Sequence, residues 1–266
     1  EAQFKDPAPN FEYDYDGNPK KPEVKIMAKD GSGLELPRND FDVVWLNSAG
    51  EEENGGAGSC SIRITPKSEA AKNYNFGTDG ALILQYTILK REFVQDDSKF
   101  SVSLKTPANT IIYNGSELKP EVTVTDKTLG SGKALSENDF MVSWSENINA
   151  GENTALITVT GIGNYEGTLT KNFTILPKDL STVGAGNINI ELADGKQYIF
   201  TGTGIVPEVT EITVDGIPLT TDDYELTSTA VNVGENNAFT INGKKNYTGS
   251  VASNGSQVSS PALFKI

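Results

Sequence analysis

Histidine is absent from this 266-residue chain, and cysteine occurs once, at position 60. The absence of histidine removes the commonest general base and the commonest transition-metal ligand of proteins. It excludes Ser-His-Asp and Cys-His nucleophilic arrangements, and with a single cysteine it also excludes a structural zinc site. Cys60 has no partner for an internal disulfide. Since a free cysteine behaves as a small hydrophobic residue, we expect Cys60 to be buried.

Basic residues are few, with 22 Lys and Arg against 36 Asp and Glu, so the formal net charge is −14. A protein that binds nucleic acid neutralises phosphates with clustered Lys and Arg, and the sequence has no such cluster. The same charge disfavours an anionic membrane surface. No apolar run approaches the ~20 residues that a spanning helix needs. We therefore predict no nucleic-acid partner, no membrane insertion and no cofactor.

The first ten residues, EAQFKDPAPN, lack the basic start and apolar stretch of a signal peptide. This is compatible with a cytosolic protein or with an exported protein whose signal peptide has been removed. Composition does not choose between them.

One pattern occurs three times along the chain. An aromatic residue is followed two positions later by glycine and seven positions later by proline, and Glu-Val comes next. Further anchors follow in the same order: an Asp-aromatic pair, a turn of small residues, an Asn-Tyr pair and a closing aromatic-x-Ile. The first anchors are Tyr15, Gly17 and Pro22; Tyr113, Gly115 and Pro120; and Phe200, Gly202 and Pro207. The pattern predicts three domains, at 1–90, 91–177 and 178–266, called segments 1, 2 and 3 below.

The stretch YDYDGN at 13–18 places Asp14, Asp16 and Asn18 at alternate positions, as in a calcium-binding EF-hand. The EF-hand also needs glycine at its sixth position and glutamate at its twelfth, where this chain has Pro19 and Lys25. The other two copies of the pattern keep the glycine and lose the carboxylates. The stretch is therefore interpreted as a tight turn whose glycine takes a positive φ.

Short runs with a period of two, such as VTVTD at 122–126 and ALITVT at 155–160, predict half-buried strands. Turn residues recur every eight to twelve positions, and no long helical period is seen. We predict an all-β chain of three tandem immunoglobulin-like β-sandwich domains. Trp45 and Trp144 are predicted to plug the cores of segments 1 and 2, and segment 3, with Ser228 there, is predicted to be the least stable. The joins LKREF and LPKDL are short, which predicts an elongated, semi-rigid rod.

The order YNG, Pro, VTV, DF, AG, GxGNYxG and FTI resembles the tandem Ig-like repeats of large bacterial surface and secreted proteins, the MBG and YDG type. The resemblance covers all three segments and is closest in segment 2. It implies a stalk or adhesion module without catalytic residues. It also implies a secreted or cell-surface location in bacteria, with an export signal that has been removed.

Function confined to one place is expected where the segments differ. The acidic loop at 47–59 contains Glu51, Glu52 and Glu53, which are candidate ligands for a hard cation; the alternative is a solvated loop. The insert at 67–80 adds Phe76, a candidate stacking surface for a sugar; the alternative is a local packing role. No residue is predicted to be catalytic.

Two functions are consistent with these observations. The first is a non-enzymatic spacer or adhesion segment of an exported bacterial protein, a monomer whose partner is a host or microbial surface protein or glycan. The second is a carbohydrate-binding surface module for glycan capture, with Phe76, Phe93, Tyr198 and Phe239 as the candidate aromatic contacts. Burial of these four side chains would remove its candidates.

Overall fold

The computed structural model describes residues 1–76 and 78–266, and these form strands joined by turns and single-turn 3-10 helices. The prediction of an all-β chain is confirmed, with several sheets, as in a β-sandwich. The 3-10 helices in this described part of the chain are η1 (Pro9–Phe11), η2 (Arg38–Asp40), η3 (Ala70–Lys72), η4 (Ala108–Thr110) and η5 (Leu180–Thr182).

The described residues of segment 1 form two sheets. One pairs its first and third strands antiparallel, and the other has the strand order β2-β6-β5-β4, in which β2 runs parallel to β6. The strands are β1 (Ala2–Phe4), β2 (Glu12–Asp14), β3 (Val24–Ile26), β4 (Phe41–Leu46), β5 (Gly58–Pro66) and β6 (Leu82–Leu89).

Segment 2 also contains two sheets, with the strand orders β10-β9-β8 and β11-β12-β13-β7. The strands are β7 (Arg91–Phe93), β8 (Phe100–Leu104), β9 (Val122–Asp126), β10 (Lys133–Ala134), β11 (Phe140–Ser145), β12 (Gly151–Gly161) and β13 (Tyr165–Ile175).

Segment 3 has shorter strands, in the orders β14-β20, β15-β16-β17 and β18-β19-β21. They are β14 (Lys178–Asp179), β15 (Ile188–Leu192), β16 (Val209–Val214), β17 (Ile217–Pro218), β18 (Tyr224–Thr227), β19 (Thr240–Gly243), β20 (Tyr247–Thr248) and β21 (Ser250–Ala252).

Alternation of apolar and polar residues places every second side chain in a core, as the period of a strand requires. In β9 the buried side chains are Val122, Val124 and Asp126, and the two threonines between them are half-buried. Cys60 is buried in β5 as predicted, and burial, followed by the nearby carboxylate of Glu53, raises the pKa of its thiol.

The repeated turn and the repeated proline occupy the predicted places. Gly17, Gly115 and Gly202 have φ values of +79°, +77° and +77°, a region that favours glycine. In each segment, a strand begins two residues after the repeated proline. Asp16 accepts the N–H of Asn18 at 3.0 Å, which closes the turn locally.

The two tryptophans differ from the prediction. Trp45 and Trp144 lie on the inward-facing side of β4 and β11, but each ring is only partly buried. Each indole N–H donates to the carbonyl oxygen of the repeated proline, Pro22 at 3.1 Å and Pro120 at 3.3 Å. The ring therefore lies at the edge of the core because its polar N–H has a backbone partner there.

The chain divides into two compact units, and the division runs through segment 2. Unit 1 contains Glu1–Ser103, Thr123–Val142 and Thr158–Thr170. Unit 2 contains Leu104–Val122, Ser143–Ile157 and Lys171–Ile266. Every contact described below joins residues of the same unit.

Candidate functional site

The three glutamates of the acidic loop bind parts of their own segment. Glu53 is buried, and its carboxylate accepts the backbone N–H of Lys20 at 2.7 Å and that of Gly55. Glu51 accepts a hydrogen bond from the side-chain amide of Asn47 at 3.4 Å, and Glu52 forms an exposed ion pair with Lys21 at 3.1 Å. Residues 1–76 and 78–266 contain no group of three or more His, Cys, Asp and Glu side chains arranged to hold a metal ion. In the described structure, Glu53 stabilises the loop by accepting these two backbone N–H groups.

The aromatic residues considered as sugar contacts are mostly enclosed. Phe93 and Phe239 are buried. Tyr198 is half-buried, and its hydroxyl accepts the N–H of Glu208 at 2.7 Å. Phe76 is half-buried and packs on Phe41 with 5.6 Å between ring centroids. Its neighbour Gly77 lies outside the described residues.

Phe76 nevertheless lines a groove of about 610 Å³ in segment 1. The groove combines aromatic and aliphatic side chains with a few amide and charged groups, a mixture typical of small-molecule pockets. Its lining includes Tyr74, Phe76, Asn73, Asn75, Lys29 and Asp30.

The most elaborate arrangement of functional groups lies where one segment passes into the next. Joint 1 comprises the join 89–93 and the side chains that contact it, and joint 2 comprises the join 176–180 and its contacts. Joint 1 belongs wholly to unit 1, and joint 2 belongs wholly to unit 2. The two joints use the same set of interactions.

In each joint, the short strand inside the join, β7 or β14, pairs in parallel with the strand that begins at the tyrosine of the Asn-Tyr pair, β13 or β20. Arg91 lies opposite Tyr165, and Lys178 lies opposite Tyr247. The glycine two residues after each tyrosine, Gly167 or Gly249, has a positive φ of +80° or +68°. A Cβ at Gly167 would lie 3.2 Å from the carbonyl oxygen of Phe93, and one at Gly249 would collide with the Asp179 carboxylate. These glycines therefore allow the join to lie close to the hairpin.

The aromatic residue of the repeated turn packs edge-to-face on that same tyrosine. The ring centroids of Tyr15 and Tyr165 lie 5.6 Å apart, and those of Tyr113 and Tyr247 lie 5.4 Å apart, both pairs at 74°. Such pairs stabilise by about 0.5–1.5 kcal/mol beyond their area burial. Tyr165 and Tyr247 are buried, and burial is the main cause that raises the pKa of each hydroxyl.

A basic residue of each join forms an ion pair with an aspartate. The Arg91 Nε lies 2.6 Å from Asp126 Oδ2, but its N–H does not point at the oxygen, so the contact is an ion pair without a hydrogen bond. The Asp126 side chain is 0% exposed and also accepts the N–H and hydroxyl of Thr128, at 2.9 and 2.6 Å. In joint 2, Lys178 pairs with Asp215, whose side chain is 32% exposed.

The asparagine of each Asn-Tyr pair bonds to the small-residue turn of the preceding segment. Asn164 Oδ1 accepts the N–H of Ala57 at 2.7 Å, and Asn246 Oδ1 accepts the N–H of Ala150 at 2.8 Å. The backbone carbonyls of the same asparagines accept the N–H groups of Arg91 and Lys178, each at 2.9 Å. One asparagine thus holds both the join and the preceding segment.

Sequence reasoning found these anchors but assigned each of them to the fold of a single segment. The available signal was the asparagine before the tyrosine, since a hairpin turn alone needs only the flanking glycines. A second signal was the basic residue in the third position of both joins, Arg91 in LKREF and Lys178 in LPKDL.

No protein-family model, no curated protein and no solved structure matches this chain. Among the described residues, no helix has both the length and the apolar character needed to cross a membrane.

Proposed function

We propose that this chain is a non-enzymatic spacer or adhesion segment of an exported bacterial protein, located at the cell surface or secreted. In this proposal, segments 1, 2 and 3 are tandem Ig-like β-sandwiches held as a semi-rigid rod. The observation that carries the proposal is that one joint, with the same backbone pairing, aromatic pair, ion pair and asparagine, is built twice.

Directional contacts at both joins favour a spacer over a set of freely jointed domains. Domains on one chain are expected to move relative to each other unless their interface is extensive. Joint 1 restricts such motion through the parallel pairing of β7 with β13, the Tyr15–Tyr165 contact and the Asn164 hydrogen bond. A flexible linker between binding modules would need none of these.

The use of buried carboxylates for structure supports a non-enzymatic role. Asp139 accepts the N–H and hydroxyl of Ser136 at 3.0 and 2.8 Å, and Asp223 accepts the same groups of Thr220 at 3.0 and 2.7 Å. Each closes the turn that precedes a strand. Buried groups that are satisfied in this way serve the fold first.

Small-angle X-ray scattering on two insertion variants tests the spacer. Four residues, Gly-Ser-Gly-Ser, are inserted between Lys90 and Arg91, which uncouples the join from its contacts. The matched control carries the same insertion after Gly50, in an exposed turn of segment 1. We expect the join insertion to broaden the pair-distance distribution and the control to leave it unchanged. Identical distributions for the native chain and the join insertion would contradict a semi-rigid spacer.

Carbohydrate binding is the second candidate, favoured by the groove in segment 1 that Phe76 and Tyr74 line. A glycan array with the intact chain tests it, with Phe76→Ala as the groove variant and Phe11→Ala, an exposed aromatic outside the groove lining, as the control. Binding that Phe76→Ala abolishes and Phe11→Ala retains would favour glycan capture. Absence of glycan binding by the native chain would leave the spacer as the proposed function.

A further inference from the structure

Segment 3 carries the residues that the two joints use on the side of the preceding segment. Tyr15 and Tyr113 in segments 1 and 2 correspond in sequence to Phe200. Gly234 is the counterpart of Gly58, because each pairs with the last residue of the closing aromatic-x-Ile of its segment. Gly58 pairs with Ile88, and Gly234 exchanges backbone hydrogen bonds with Ile266 at 3.0 and 3.3 Å. The residue before Gly58 is Ala57, whose N–H bonds to Asn164, so the corresponding residue of segment 3 is Val233.

These residues of segment 3 are uncovered, and we call them the open face: Ile199, Phe200, Gly202 and Val233. Phe200 is 56% exposed, whereas its counterpart Tyr15 is 4% exposed, and Ile199 and Val233 are 81% and 76% exposed. A Cβ added at Gly115 would lie 2.8 Å from Ile217 of segment 3, but one added at Gly202 would meet nothing within 4 Å. Across residues 1–76 and 78–266, the Val233 N–H has no protein acceptor.

We propose that the open face docks a further repeat of the same kind, one that presents a complete Asn-Tyr hairpin and a basic join residue. This inference rests on the proposed spacer function and names its partner. The incoming tyrosine packs edge-to-face on Phe200, as Tyr165 and Tyr247 do on their partners. The incoming asparagine oxygen accepts the Val233 N–H. The basic residue reaches the carbonyl oxygen of Phe200, as Arg91 reaches that of Tyr15 at 3.3 Å.

A second copy of this chain does not offer the required hairpin. In segment 1 the Asn-Tyr pair is Asn73-Tyr74, and Tyr74 is engaged within its segment, donating its hydroxyl to Asp40 at 3.0 Å and packing on Phe41 at 5.2 Å. The hairpins of segments 2 and 3 are already occupied in joints 1 and 2.

Extension of the intact chain by one repeat tests the proposal. A second copy of residues 176–266 is added directly after Ile266, which reproduces the spacing of the Ile175–Leu176 connection. Amide hydrogen exchange is then followed at Val233 in the original chain, with Ala57 and Ala150 as internal references for a formed joint. We expect exchange at Val233 to slow by at least about tenfold in the extended chain.

The matched control carries Asn246→Ala in the added copy alone, and we expect it to return Val233 to fast exchange. Val233 exchanging equally fast in the native and extended chains would overturn the inference. Protection of Val233 in the native chain that grows with protein concentration would also overturn it, because the occupant would then be a second copy. If the Val233 amide is not protected in the extended chain while those of Ala57 and Ala150 are protected from exchange, the docking inference fails and the spacer proposal stands. If the amides of Ala57 and Ala150 are also unprotected, the result counts against the spacer proposal itself.

Discussion

Replacement of Arg91 by methionine tests the energetics of joint 1. The substitution keeps the length of the aliphatic stem and removes the charge that faces Asp126. Because the Asp126 side chain is fully buried, it is left as a charge without a counter-ion. Breaking a buried ion pair from one side costs about 3–5 kcal/mol.

Two features of joint 1 reduce the expected cost of the substitution below this range. Arg91 is 24% exposed, so its charge is partly screened, and Asp126 keeps the two hydrogen bonds from Thr128. We therefore expect Arg91→Met to reduce the free energy of unfolding by about 2–3 kcal/mol. Lys178→Met should cost about 1 kcal/mol or less, because Asp215 remains partly hydrated after the lysine is removed.

Urea unfolding followed by tryptophan fluorescence measures the effect of Arg91→Met, since Trp45 and Trp144 lie in the two segments that joint 1 connects. Arg63→Met is the matched control, an exposed arginine on β5, and should stay within about 0.5 kcal/mol of the native chain. Adding Asp126→Asn to Arg91→Met removes the uncompensated charge and should recover part of the loss. Equal stabilities for Arg91→Met and Arg63→Met would show that the ion pair does not stabilise the joint.

Four further predictions follow from the described contacts. The Tyr247 hydroxyl is buried without a well-placed hydrogen-bond partner among the described residues, so Tyr247→Phe should be nearly neutral, while Tyr247→Ala should cost about 3–5 kcal/mol in denaturant unfolding. Gly115→Ala should cost more than Gly202→Ala in the same assay, because both strain a positive φ but only the first also meets Ile217; equal costs would argue against that contact. The raised pKa values of the Tyr165 and Tyr247 hydroxyls mean that the folded state holds these protons more tightly than the unfolded state. The contribution of these two groups to stability should therefore be constant up to about pH 10 and fall above it, with the two tyrosines ionising only on unfolding; tyrosinate absorbance during an alkaline titration checks this, and complete tyrosine ionisation in the folded chain would contradict it. Segment 3, with its shorter strands and no tryptophan, should show the fastest amide exchange of the three segments, and slower exchange there than in segment 2 would contradict the prediction.

The fold class was accessible from the sequence because each strand carries its own signal. A period of two, as in VTVTD, specifies which side chains are buried without knowledge of the neighbouring strand. The turn glycines were equally accessible, since Gly17 and its counterparts take a positive φ for local steric reasons.

The joints were not accessible in the same way, because their partners are far apart in the chain. Tyr15 meets Tyr165, and Asp126 meets Arg91, and neither pair has a spacing that a strand or turn would specify. A residue that recurs in every repeat is consistent with a role inside the repeat or between repeats. Only the packing of one segment on the next distinguishes these roles.

The partial burial of the tryptophans and the burial of Glu53 were also beyond local pattern. Trp45 was expected inside the core by its phase on β4, but the acceptor for its N–H is the carbonyl of Pro22, at the core's edge. Glu53 belongs to a run of three glutamates that looks uniformly solvated, and it is buried because two backbone N–H groups point at its carboxylate. Both outcomes depend on backbone groups that are distant in sequence or in a turn of irregular shape.

The distance between spin labels placed on either side of joint 1 tests the semi-rigid spacer most directly. Ile83→Cys and Met141→Cys introduce exposed labelling sites in segments 1 and 2, and Cys60→Ser removes the native thiol. We predict a single narrow distance distribution by pulsed electron–electron double resonance. The distribution should broaden when Arg91→Met and Asn164→Ala are added. A broad distribution in the chain with joint 1 intact would mean that the segments move independently, and it would contradict the spacer.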